Sequence, residues 1–292
     1  MDGTQAIPTE RPLWRRIVDY PLVTMVIATA IYIAAAALSI IIGKFVPPAI
    51  GKTGVAAINA VITIGLLLAA YKLIIVRLGR HPKDDLPAAP ALRDTAIGLA
   101  VGFSIMALAV AVAAALGVYR IIGAGDTSRL VLELIAVAII PGFTEELLFR
   151  GILFRWIEEF GGSWLALLVT SALFGLAHIL NPNATWFTSF AIAVEAGVLL
   201  GGAYMLTRNL WLAMGLHAGW NFTQGEIFDV PVSGIDEHGL VQAKLSGPEL
   251  LSGGQFGLEG SIIGLTVATA LGVWMVARAI KRGHLVQPSW MR

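Results

Sequence analysis

Stretches of about twenty mostly apolar residues, long enough to cross a bilayer as helix, recur along this chain and limit its fold more than any other feature. They fall at 22–42, 55–76, 95–119, from 130 through a charged patch towards 156, 164–180, 186–206, 210–222 and 262–280. The one at 210–222 is short for a span. Hydrophobic residues make up 57% of the 292 residues and charged ones 13%, about half the charged share of a soluble domain, so lipid must face much of the surface. Long segments of alternating apolar and polar residues are missing, which argues against a β-barrel. The expected fold is all-α: a polytopic membrane protein of about eight transmembrane helices, one integral domain over 1–292, with a polar site inside the bundle.

With a net charge of +1 and no Lys/Arg-rich run, nothing in the chain calls for nucleic acid. The chain has no cysteine, which excludes disulfides and thiol catalysis. The first twenty residues are too polar for a cleavable signal peptide, so the first apolar segment is expected to stay in the mature protein. If the N-terminus is cytoplasmic, Lys44, Lys52, Arg120, Arg129 and Lys244 fall outside, and the other fifteen of the twenty basic residues, Arg11 among them, fall inside. That split predicts both termini in the cytoplasm. The Pro-rich stretch 79–94 reads as a cytoplasmic connector, and the Gly-rich, acidic stretch 226–260 as a solvated connector on the other face, with a lid over a site as the alternative.

Ionisable side chains at bilayer depth cost about 2.5–3.5 kcal/mol each on insertion scales and mark function. Here they fall in three of the spans. "PGFTEELLFRG" (141–151) carries Glu145, Glu146 and Arg150, "FGLAH" ends in His178, and "HAGWN" holds His217 and Asn221. Glu146 and Arg150, four apart, share a helix face and can pair, whereas Glu145 is rotated about 100° from Glu146 and points elsewhere. Phe174 and His178 have the same spacing, as do His217 and Asn221. Pro141 and Gly142 loosen the helix one turn before the carboxylates and free carbonyls there. Glu195, alone in the sixth span, either lines the same cavity or hydrogen-bonds locally.

A carboxylate beside an imidazole, with water admitted, supports general-base hydrolysis. Glu145 would take the proton with His178 orienting the water, and His217 and Asn221 would stabilise an oxyanion. Alternatively Glu145, His178 and His217 would bind Zn²⁺ and acidify its water, although no HExxH is present.

The ordered set "EELLFRG", "FGLAH" and "HAGWN" resembles the CAAX-prenyl-protease and bacteriocin-processing (Abi) family of intramembrane proteases, whose pattern is EExxxR, FxxxH, HxxxN/D in successive helices. The resemblance covers roughly 128–225, a protease-like core. It implies an eight-helix membrane endopeptidase that uses Glu/His-activated water or a metal. Glu145 would be the leading catalytic carboxylate, with Glu146 sharing the role or shaping the site alongside Arg150. His178, His217 and Asn221 would complete the site, and Phe174 would support it. The implied partners are the lipid bilayer and a peptide or protein substrate, prenylated at its C-terminus in the eukaryotic members. The rival readings are a proton-coupled transporter and a non-proteolytic immunity or binding protein on the same scaffold. Since His178 lies about 20 Å along its helix from Trp164, it can meet Glu145 only if the preceding helix is tilted or kinked at Pro141, or if "EEFGGS" dips into the bilayer.

Overall fold

The computed structural model describes residues 12–292; Arg11, counted above among the cytoplasmic charges, lies outside the described residues. Among the described residues, five helical stretches are long and apolar enough to cross a membrane: Pro21–Gly43, Pro48–Arg77, Ala91–Ala115, Trp186–Thr207 and Ile262–Lys281. The segments read as the fourth, fifth and seventh spans are helical too but do not meet that standard, so eight spans are not established. Much of the long helices' apolar surface faces outward, as at Val26, Ile33 and Ile40, which are 58–65% exposed at seven-residue intervals on one helix. Exposed apolar surface on this scale is covered by lipid acyl chains. The molecule is an integral membrane protein.

The first two long helices, α2 (Pro21–Gly43, after the short α1, Leu13–Val18) and α3 (Gly51–Leu73), pack together, and Thr63 Oγ1 meets Ser39 Oγ at 3.2 Å. α4 (Ala91–Ala115) ends four residues before the expected boundary. Gly117, at φ 75°, reverses the chain there, and the Val118 and Gly117 amides close on the Ala113 and Ala114 carbonyls at 2.9 and 3.0 Å. Strand β1 (Tyr119–Ala124) follows and pairs antiparallel with β2 (Val241–Leu245). The fold is thus mostly helical rather than all-α: stretch 226–260, read as a connector, supplies half of a small sheet outside the long helices.

The charged helix is not regular. α5 (Leu130–Glu133), a wide π turn over Leu134–Ile139, α6 (Ile140–Leu148), a second π turn over Phe149–Phe154 and α7 (Arg155–His178) follow without a break, except that Gly162, at φ 80° and ψ 171°, divides α7 in two. Pro141 accounts for the first irregularity. It has no N–H for the Val137 carbonyl one turn back, and Asn221 Nδ2 donates to that oxygen instead at 2.8 Å.

α8 (Trp186–Thr207) begins at a capping box in which Thr185 and Thr188 bond to each other's backbone. α9 (Trp211–Phe222) continues through a π turn over Thr223–Ile227, and after α10 (Glu249–Ser252) comes α11 (Ile262–Lys281), capped by Ser261. Glycines set the register of α9 on α4. A Cβ at Gly98 or Gly102 of α4 would lie 2.4 or 2.3 Å from the Leu212 or Leu216 carbonyl. One at Gly215 or Gly219 of α9 would lie 2.3 or 2.5 Å from the Thr95 or Leu99 carbonyl. Two small-xxx-small pairs therefore interlock the backbones, and α9 presents His217 away from α4.

The connector 79–94 is bound into the bundle. Asp85, fully buried, accepts from Tyr204 Oη at 3.0 Å and Tyr71 Oη at 3.3 Å and pairs with Lys83. Burial holds the Lys83 ammonium below its ordinary range, an effect that Asp85 opposes. Arg208 forks onto Glu158 at 2.9 and 2.5 Å alongside.

Candidate active site

The wide turns and the Gly162 reversal bring three motif helices together, as the depth argument required. Arg150, fully buried, donates from Nη1 to Glu146 Oε1 at 2.8 Å and from Nη2 to the Ala196 carbonyl at 3.2 Å. Its guanidinium lies 4.7 Å from the centroid of the Phe174 ring. Phe174 is the hub of the site: Phe149 packs edge-on to it at 4.9 Å, His178 lies tilted at 4.7 Å and His217 edge-on at 6.2 Å. A guanidinium and two imidazoles thus share one aromatic ring, whose faces are rich in electron density.

Each imidazole is oriented through Nδ1. His178 Nδ1 lies 2.7 Å from the Phe174 carbonyl oxygen, which can only accept, so the proton is assigned to Nδ1. His217 Nδ1 lies 3.0 Å from Glu146 Oε1, an oxygen that already accepts from Arg150, so the imidazole donates there too. In both rings Nε2 is left as the nitrogen free to act on a substrate or a water.

His178, His217, Asn221 and Phe174 line one small cavity. Glu146 reaches it through His217. Glu145 does not line it: half-buried, with Oε2 unpartnered, it lies within electrostatic range of Tyr32, Arg150 and His217. Asn221 lines the cavity while bracing the Val137 carbonyl, a structural duty that the HxxxN spacing does not reveal. Glu195 also lines the cavity, and so do two residues outside the motifs, Ser233 and Glu259.

Those two come from stretch 226–260, which closes over the site. Ser233 and Gly234, at φ 50° and 82°, make a tight turn between Val232 and Ile235, whose backbones exchange hydrogen bonds at 2.9 Å. Asn181 Nδ2 donates to the Ser233 carbonyl at 3.1 Å and Asn183 Nδ2 to the Gly234 carbonyl at 3.3 Å, which pins the turn beside the end of α7. The Ser233 amide donates to Glu259 Oε1, and the Trp220 side chain also hydrogen-bonds that carboxylate. Burial pushes the Glu259 carboxyl up to about 7 despite these donors. The only sequence signal for this roof was its unusual density of Gly and acid.

A zinc site through Glu145, His178 and His217 does not fit this arrangement. Among the described residues no three His, Cys, Asp or Glu side chains gather closely enough to hold a metal ion, and Glu145 does not line the cavity that the two imidazoles share.

A sequence model of the Rce1-like family, described as type II CAAX prenyl endopeptidase Rce1-like, matches residues 127–223, about a third of the chain and the part that holds every motif residue. The family is one of peptidases, and this segment of the chain is similar to it. No curated protein matches the chain significantly, and no solved structure does.

Proposed function

We propose that the protein is an intramembrane endopeptidase of the CAAX-protease type, which hydrolyses a peptide bond of a membrane-associated substrate with a water activated by imidazole rather than by a metal. The observation that carries this reading is the shared cavity of His178, His217 and Asn221, with Glu146 behind His217, in a segment that matches a peptidase family. His178, its tautomer set by the Phe174 carbonyl, offers Nε2 as the base towards water. His217, when protonated and held by Glu146, donates from Nε2 to the developing oxyanion, and His178 returns its proton to the leaving amine. Arg150 offsets the negative charge of Glu146 and holds it against His217. By this geometry Glu146 is the carboxylate joined directly to the catalytic groups, and Glu145 acts through its field. The distribution of basic residues supports both termini in the cytoplasm.

The test is cleavage of a peptide library, prenylated C-terminal peptides included, by purified protein in detergent. The expected result is a loss of about 10²–10⁴-fold in His178→Ala and Glu146→Gln, a smaller loss in Glu145→Gln, and no effect of a chelator. A chelator that abolishes cleavage, or Glu145→Gln falling as far as Glu146→Gln, would overturn the assignment of roles. Cleavage undiminished in His178→Ala would overturn the site itself.

A further inference from the structure

The cavity is more acidic than this hydrolysis requires. Glu195 on α8 and Glu259 in the turn before α11 both line it, at 2% and 4% exposure, and no Lys or Arg lines it with them. Arg150 does not serve them, since it is committed to Glu146, the Ala196 carbonyl and the Phe174 ring. Glu259 has its donors in Ser233 and Trp220, but Glu195 Oε2 is buried with no hydrogen-bond partner. Each carboxylate also lies in the repulsive field of the other. A Cβ at Gly264 would stand 3.1 Å from Glu195 Oε2, so that oxygen packs against the bare backbone of α11. The cavity's own cationic group, the His217 imidazolium, is held by Glu146, so two carboxyl groups buried this deeply ionise at low cost only when a further positive charge stands beside them.

The approach to the roof has the same sign. An open basin lies beside it, lined by Asp126, Asp229, Asp236 and Glu237 against His238 and Lys244, and it shares with the roof the segment just before Ser233. Charge of one sign around a concave surface concentrates counter-charged ligands.

We propose that Glu195 and Glu259 form a subsite for the cationic side chain of a lysine or arginine in the peptide substrate, beside the bond that is cut. The proposal rests on the proteolytic reading, for it is the imidazoles of the same cavity that place a peptide there. Glu195 supplies a cavity-lining carboxyl group whose buried Oε2 has no hydrogen-bond partner, and Glu259, steadied by Ser233 and Trp220, supplies the second.

The test separates binding from cleavage. Fluorescein-labelled apolar nonapeptides, in which one position at a time carries Lys, Arg, Gln or Glu, are titrated by anisotropy against the full chain in detergent, and the same peptides are assayed for cutting. At one position Lys or Arg is expected to bind at least tenfold tighter than Gln. Glu195→Gln/Glu259→Gln should lose that preference while binding the Gln peptide as well as the parent does. The single variants Glu195→Gln and Glu259→Gln, each expected to lose part of the preference, keep the test intact if the double variant fails to fold. A charge preference without cutting supports the subsite and removes the peptidase. Cutting with no charge preference overturns the subsite and keeps the peptidase. A preference that survives in the variants, or no binding of any peptide, also overturns the subsite.

Discussion

Replacing Arg150 by Met removes a charge from the centre of the molecule without opening a large hole, and its cost follows from what Arg150 touches. Glu146, itself fully buried, would keep only His217 Nδ1 as donor, and its other oxygen already has none. The Ala196 carbonyl would lose the guanidinium bond of 3.2 Å, and the Phe174 face its cation. Removing one partner of a buried ion pair costs about 3–5 kcal/mol, the orphaned carbonyl included. In Glu146→Gln/Arg150→Met the uncompensated charge is gone, and the cost should fall to about 1–3 kcal/mol, mostly the unmet carbonyl. The double variant should therefore be more stable than Arg150→Met alone, by about 2 kcal/mol. Denaturation of all four proteins in mixed micelles, followed by tryptophan fluorescence, measures the cycle. An Arg150→Met variant within about 1 kcal/mol of the parent would refute the reasoning, and so would a double variant that costs the sum of the singles.

Two further outcomes follow from features away from the imidazoles. Gly219→Val should lower stability by at least about 3 kcal/mol and shift His217, because its Cβ would meet the Leu99 carbonyl at 2.5 Å; thermal unfolding that matches the parent would show that α4 and α9 can separate at no cost. Burial raises Glu226 to about 8 and Glu237 to about 7, so the folded state holds these protons above the ordinary carboxylate range, and stability should fall as pH rises from about 4.5 to about 8. A thermal midpoint measured across that range should decline less in Glu226→Gln, and an equal decline in variant and parent would remove Glu226 as the cause.

The long apolar helices were legible because lipid imposes one rule on all of them, a run of about twenty apolar residues, and the ends of α2, α8 and α11 fall within a residue of the reading. The pairing of Glu146 with Arg150 was legible for the same reason: a helix fixes neighbours four apart. What a single-helix period cannot carry is which helices meet. Nothing in the spacing says that Phe174 would stand between Arg150 and both imidazoles, or that Asn221 would answer the carbonyl left without a partner by Pro141. Glu145 and Glu146 are neighbours, and only the packing of α9 decides that His217 meets the second. Glu259 and Ser233 come from a segment without periodicity, whose shape depends on a turn at positive φ and on side chains from α7's end.

That last attachment has a mechanical consequence. His217 rides on α9, whose backbone is meshed with that of α4 by four glycines. His178 is the final residue of α7, and three and five residues further on Asn181 and Asn183 grip the roof turn. The same turn is tied to α9 more indirectly, through Glu259 and the Trp220 side chain. The roof of the chamber and one of its two imidazoles are therefore secured by a single piece of chain, the end of α7 and the five residues after it.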